Sequence, residues 1–223
     1  MKRSKINSLI DEAISFIESL GFKMPPFAYW NPQQWQTKKA TSQEIAHNML
    51  GWDVTDFGSG DFDRRGLVVL TIRNGNPHDK ERYPKPYAEK LLIAQEEQET
   101  PIHFHWSKME DIINRGGGDL VVELWNSDER EERLDTPVHV SIDGTRHTVE
   151  AGEPIVLVPG QSITLLPLMY HRFYGKKGTG RVLLGEVSAV NDDNNDNRFY
   201  EDLPRFPLIE EDEEARYLLI TEY

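Results

Sequence analysis

The chain has 223 residues, a formal charge of −13 and no cysteine. That length can bury one substantial core but would cramp two full domains, and the lack of cysteine excludes disulfides, thiolate ligands and thiolate nucleophiles. The negative charge opposes nucleic-acid backbones and anionic membrane surfaces, so a neutral small molecule is the easier partner. No apolar run approaches membrane-spanning length, and Met1-Lys2-Arg3-Ser4 leads into a polar amphipathic segment rather than an apolar signal core; a cytoplasmic protein is expected.

Ser4 is placed to cap a helix whose apolar residues Ile6, Leu9, Ile10, Ala13, Ile17 and Leu20 recur at helical spacing and stop at Gly21. Pro25, Pro26 and Pro32 then predict an extended connector. Thr41 to Glu44 resembles a capping box opening a second short helix that runs through Leu50 and ends at Gly51. The loop Asp56-Phe-Gly-Ser-Gly-Asp61 lacks the lysine and the strand-to-helix setting of a phosphate cradle and is assigned no ligand. From Leu67 the pattern turns to strands, over 67–72, 90–94, 101–106, 120–125, 138–142, 145–149, 155–158, 162–166, 169–174 and 181–190. Asp143-Gly144 marks a two-residue hairpin turn. Many short strands separated by turn signals predict an antiparallel sandwich or small barrel, with the N-terminal helix packed outside it.

The acidic runs Asp128 to Asp135 and Glu210 to Glu214 are expected to be solvated surface. With Asp143 and Gly144 as the turn, Val140 pairs with His147 and His139 with Thr148, so those two imidazoles fall on opposite faces and cannot share an ion. His47 and His78 have no companion ligand nearby in sequence. The run Asn191-Asp-Asp-Asn-Asn-Asp-Asn197 lacks the mid-loop glycine and terminal glutamate of an EF-hand and reads as a polar turn. The strand before it places Val182, Leu184, Glu186 and Ser188 on one face, where a buried carboxylate demands a lysine, a water network or a metal as partner.

The chemistry concentrates at His103-Phe-His105-Trp106-Ser107-Lys108-Met109-Glu110. Side chains two apart on an extended strand share a face, so His103 and His105 can present their imidazoles to one ion, and Glu110 returns after a short turn. Two imidazoles and a carboxylate suit manganese, iron, cobalt, nickel or zinc and leave positions open for oxygen ligands. HxH, four residues, Glu, six residues, Gly117 resembles the first motif of the cupin superfamily, with Glu97 where that motif normally has a glycine. Pro159-Gly160 followed by Pro167-Leu-Met-Tyr-His171-Arg-Phe173 resembles the second motif, at a longer interval than usual, and supplies one more histidine.

Within that superfamily the wording resembles the D-lyxose isomerases. The resemblance is carried by Lys90-Leu-Leu, the block from Pro101 to Gly118, Pro167 to Phe173, Gly185-Glu186-Val-Ser188, Asn191-Asp-Asp193 and Arg205-Phe-Pro207, and covers most of the chain. It implies an all-β cupin fold in a single domain: a double-stranded β-helix or jelly-roll barrel over 66–223, with 1–65 as a helical and loop extension packed on it. It also implies a homodimer and a manganese-dependent aldose–ketose isomerase acting on D-lyxose and D-xylulose, with D-mannose and D-fructose as secondary substrates. Zinc, cobalt, nickel or iron(II) are alternative metals. In this reading His103, His105, Glu110 and His171 hold one divalent ion, while Lys90, Lys108, Trp106, Phe173, Asp193 and Arg205 contact the sugar.

Interconverting an aldose and a 2-ketose moves one proton between C1 and C2 and another between O1 and O2, which requires a base within reach of the C–H. Glu186 is the expected base, and Lys108 or Lys90 the group that hydrogen-bonds the developing oxyanion or shuttles its proton. Two other readings use the same ligand set. An iron(II) dioxygenase would consume dioxygen, and a sugar-binding cupin without activity would form no ketose from a pentose in the presence of manganese.

Overall fold

The computed structural model describes residues 1–223. Its helices are α1 (Arg3–Ser19), α2 (Pro32–Lys38) and α3 (Gln43–His47). The strands begin with β1 (Gly51–Thr55), β2 (Leu67–Arg73), β3 (Tyr87–Ala94), β4 (His103–Phe104), β5 (Glu110–Gly117), β6 (Leu120–Ser127) and β7 (Arg133–Leu134). They continue with β8 (Val138–Ile142), β9 (Thr145–Val149), β10 (Ile155–Leu157), β11 (Ser162–Leu165), β12 (Tyr170–Gly175), β13 (Val182–Ala189) and β14 (Arg198–Phe199). One sheet has the order β1-β2-β3-β13-β5-β11-β8-β9 and the other β10-β6-β12-β4-β14, with β7 beside β6. No helix is long and apolar enough to cross a membrane.

Leu92, Ile112 and Leu184 from the first sheet meet Val122, Leu124 and Phe173 from the second in one buried cluster, so the two sheets face each other across a shared interior, as the cupin resemblance implies. A second cluster lies on the outer face of the first sheet, where Ile6, Leu9, Ile10, Ala13 and Ile17 of α1 pack against Trp52, Val54, Leu70, Leu91, Ile93 and Leu183. Strands β2, β3 and β13 are therefore buried on both faces. That is why Leu67-Val-Val-Leu-Thr-Ile72 reads as a continuous apolar run rather than an alternation.

The termini correct the sequence reading. Ser4 is not the cap of α1; it lies in the first turn, where Asp212 accepts its backbone N–H at 2.9 Å and its hydroxyl at 2.7 Å. Arg3, only 1 % exposed, donates to Glu211 at 2.7 and 2.9 Å and also to Glu222, and Asn7 donates to Glu213 at 2.6 Å. The run Glu210 to Glu214 is exposed along its length, as expected, and also clasps the start of α1, where its carboxylates answer the free N–H groups of a helix N-terminus and a buried guanidinium. The hydrogen bond from Arg3 holds the Glu211 carboxyl below its usual range, and the backbone N–H of Ser4 does the same for Asp212. Their contribution to stability is accordingly present at neutral pH and fades as pH falls through the carboxylate range. Glu211 is more than half exposed, and exposed ion pairs are worth about 0–1 kcal/mol, so Glu211→Lys should cost roughly 1 kcal/mol. A drop of about 2–4 °C in Tm is expected; an unchanged melting curve would mean that the clasp adds nothing to stability. The other acidic run stays at the surface, although Glu131 within it accepts from Trp106 Nε1 at 2.7 Å and Arg198 Nε at 3.0 Å.

The connector after α1 is helical where proline suggested extension. Asn31 caps α2 by accepting from Gln34 N at 2.8 Å, Gln34 reciprocates, and Pro32 takes the first helical position. Helix α3 is shorter than expected, with Thr41 donating to Lys38 O instead of capping it. Strand β1 carries the sheet into the stretch assigned to the N-terminal extension. The hairpin turn and its register are as read, with Asp143 and Gly144 at φ +48° and +78° and His139 opposite Thr148. Glu97 has φ +57°, the left-handed conformation that explains why a glycine usually stands there.

Candidate active site

The site is built by register. Across the first sheet Glu186 of β13 lies opposite Lys90 of β3, and Ser188 lies opposite Glu110 of β5, so all four project from the inner face. In the second sheet His171 of β12 is directly opposite His103 of β4, and His105 follows two residues on. One ring nitrogen from each of His103, His105 and His171 lies within 4.8 Å of the other two. The inner faces of the two sheets border one cavity, lined by His103, His105, Glu110, Lys90, Lys108 and Glu186 among others.

Each histidine turns Nδ1 toward a main-chain carbonyl: His103 to Pro101 at 2.8 Å, His105 to Asp196 at 2.6 Å and His171 to Met169 at 3.0 Å. Nδ1–H donates to the carbonyl, which fixes the tautomer and leaves Nε2 as a lone pair aimed at the cavity. Burial, with the neighbouring imidazoles adding to it, holds His103 well below its ordinary pKa, and burial lowers His105 as well; both are neutral, as metal ligands must be. Glu110 Oε1 lies 3.2 Å from His171 Nε2 and 3.5 Å from His105 Nε2. His171 Nε2 and Glu110 Oε2 are buried without a hydrogen-bond partner. Buried polar atoms are nearly always satisfied, so the unpartnered His171 Nε2, converging with the other imidazole lone pairs and Glu110 Oε1, fits a divalent cation.

Next to it, Lys108 Nζ lies 2.7 Å from Glu110 Oε2, out of line for a hydrogen bond, and donates to Glu186 Oε1 at 2.9 Å. Burial alone would raise the Glu110 carboxyl; the Lys108 charge outweighs it and, with His105, holds the group well below the carboxylate range. For Lys108 itself burial is overcome by the two carboxylates, which keep it an ammonium. Ser188 Oγ also donates to Glu186 Oε1, at 3.1 Å, and Lys90 Nζ is 3.5 Å away, so the donors gather on one carboxylate oxygen. Asn191 Oδ1 accepts from Lys90 at 2.6 Å and from Lys108 at 3.4 Å. Asp193 lies 3.7 Å from both Lys90 and Arg205; burial would raise its carboxyl, but these cations hold it well below its usual range.

Lys90, Lys108, Phe173, Glu186, Asp193 and Arg205 all line this cavity with three of the metal-ligand candidates, His103, His105 and Glu110. Trp106 does not, which corrects its assignment as a sugar contact. The alternation that turns His103 and His105 inward turns Trp106 outward, where it packs edge-on against Phe104 and donates to Glu131. The sequence reading missed several residues. Phe57, from the loop assigned no ligand, and Phe199 add apolar wall, and Asn197 and Thr100 reach the cavity. Asp53 of β1, 2 % exposed, lies 2.6 Å from Arg205, and burial pushes its carboxyl up against the pull of that guanidinium. An acid within a strand, like the Glu186 that was noticed, was the signal that could have found it.

The chain is similar to known proteins over its whole length. Residues 1–223 match the family described as D-lyxose isomerase. A "D-lyxose/D-mannose isomerase" of Serratia proteamaculans is 50 % identical over 224 residues, covering 100 % of this chain and 98 % of the relative. One of the same description from Escherichia coli O157:H7 is 48 % identical with the same coverage. Among solved structures, L-ribose isomerase of Cellulomonas parahominis with L-ribose superposes with a TM-score of 0.61 at 15 % identity, covering 94 % of this chain and 98 % of that one. L-ribose isomerase of Acinetobacter sp. DL28 in complex with L-ribose gives 0.60 at 14 %, covering 91 % and 93 %. The structural likeness establishes the cupin fold, and the full-length match in sequence establishes that the chain belongs to the D-lyxose isomerase family.

Proposed function

We propose that this protein is an aldose–ketose isomerase that interconverts D-lyxose and D-xylulose, with D-mannose and D-fructose as a secondary pair, through an enediol. The observation that carries the reading is a cavity with a cluster of three imidazoles and a carboxylate on one side and Glu186 between two lysines on the other. His103, His105, Glu110 and His171 would hold one divalent ion, manganese by preference. When bound, such an ion supplies Lewis-acid polarisation of the sugar carbonyl and the adjacent hydroxyl.

The chain's own residues do the rest. The Glu186 carboxylate removes the proton from the carbon next to the carbonyl and returns it to the neighbouring carbon. Lys108, an ammonium fixed by two carboxylates, donates a hydrogen bond to the oxygen on which charge develops and passes the second proton between O2 and O1, so that the hydroxyl on O2 of the aldose becomes the hydroxyl on O1 of the ketose. Lys90, Asp193 and Arg205 are charged donors and acceptors for the remaining hydroxyls, and Phe57, Phe173 and Phe199 supply an apolar wall against the sugar ring's C–H face. The test is incubation with D-lyxose and D-mannose across a panel of divalent metals. Ketose formation without dioxygen uptake is expected, and a metal-loaded protein that forms no ketose would end this reading.

The proposal includes a homodimer. Val187, Tyr87 and Met109 are all more than two-fifths exposed on the outer face of the first sheet, and Leu166 lies beside them. An apolar patch of this kind on the part of the sheet face that α1 leaves exposed favours a second copy, and sedimentation as twice the chain mass is the expected result. The proposed location is the cytoplasm, where a chain without disulfide-forming residues loses nothing.

A further inference from the structure

Asp196, 8 % exposed, sits in the loop Asn191–Asn197 and is absent from the cavity wall. Its main-chain oxygen accepts from His105 Nδ1 at 2.6 Å. Its carboxylate accepts from Ser107 N at 2.9 Å, Ser107 Oγ at 3.0 Å and Lys108 N at 3.0 Å. One residue thereby grips the turn between β4 and β5 on both sides of Trp106. The same loop reaches the other end of Lys108, whose Nζ donates to Asn191 Oδ1 at 3.4 Å. Lys108 is held at its base by one end of the loop and at its tip by the other, and only from that position does it bridge Glu110 and Glu186.

We infer that Asp196 is a positioning residue for this reaction. Its carboxylate fixes the main chain from which Lys108 reaches both acids, and its carbonyl fixes the tautomer that directs the His105 Nε2 lone pair into the cavity. The inference rests on the site reading above. A long flexible side chain without such an anchor distributes over rotamers, and outer hydrogen-bond partners of this type change metal affinity or activity by about 10–100-fold.

The test uses Asp196→Ala, Asp196→Asn, Lys108→Met and the double variant in the manganese-loaded enzyme. Asp196→Ala should lower kcat by roughly tenfold or more with a smaller change in KM, and Asp196→Asn, which keeps one acceptor oxygen, should recover part of the loss. In the Lys108→Met background Asp196→Ala should change kcat by less than about twofold, because the lysine through which it acts is gone. A second readout needs neither metal nor turnover: the main-chain N–H groups of Ser107 and Lys108, which donate to the Asp196 carboxylate, should exchange slowly with solvent in the metal-free protein and roughly tenfold faster or more in Asp196→Ala. Effects that multiply in the double variant, or Ser107 and Lys108 exchange unchanged by Asp196→Ala, overturn the proposal. A wild-type protein that makes no ketose from D-lyxose refutes the isomerase reading alone, and the exchange rates still decide the role of Asp196.

Discussion

Replacing His171 by alanine is expected to remove most of the bound divalent ion and nearly all turnover while the fold survives. His171 is 1 % exposed, its Nε2 has no protein partner, and Met169 holds its other nitrogen, so the ring serves the cavity and little else. Two imidazoles and Glu110 would remain, a set that can still bind a divalent ion, but more weakly and without the fourth donor that the cavity is built to present. His103→Ala and His105→Ala should behave alike. Glu110→Ala should lose the ion as well and should additionally destabilise the metal-free protein, because it leaves Lys108 buried beside Glu186 as its remaining carboxylate; removing one partner from a buried charge pair costs about 3–5 kcal/mol. Metal content per chain, turnover and metal-free Tm, measured on all four variants, check these outcomes. A His171→Ala protein with a full equivalent of metal and normal turnover would remove that histidine from the ligand set.

The difference between what could and could not be read in the sequence is itself physical. His103, His105 and Glu186 were legible because strand alternation has a period of two, so a polar residue on an inner face stands out against its apolar neighbours. Strand β5 was not, because Glu110-Asp-Ile-Ile-Asn-Arg-Gly-Gly117 carries polar residues and glycines that suit a loop; it is a strand because β11 and β13 pair with it on either side, and its buried Asn114 is satisfied by the carbonyls of Gly118 and Leu157. Strand β1 hid Asp53 in the same way, behind an opening glycine. The loop Asn191–Asn197 looked like a polar turn because its acids answer to groups far away in sequence, Lys90, Ser107, Lys108 and Arg205. The partners of the exposed run Glu210 to Glu214 were hidden for the same reason, since the helix it clasps begins at the opposite end of the chain.

Glu186→Gln should lower turnover by roughly 10²-fold or more and leave the metal content unchanged. Glutamine has the shape of glutamate, and its amide oxygen can still accept from Lys108 and Ser188, so the wall of the cavity is preserved while the base is lost. Glu110 is the carboxylate that lies 3.2 and 3.5 Å from imidazole nitrogens, and Glu186 lies across Lys108 from it, which is why the ion should remain. Isomerisation in heavy water gives an independent reading of the route. An enediol whose proton is held by a base open to exchange places deuterium on the product carbon, whereas a direct transfer of hydrogen between the two carbons places none. The one cluster of imidazoles found here assembles a single ion site, and a base-catalysed transfer is the simpler chemistry for one Lewis acid beside a buried carboxylate. Deuterium in the product together with a large loss in Glu186→Gln would fix both the route and the residue. Near-normal turnover in Glu186→Gln with a product free of deuterium would defeat the enediol and its base together.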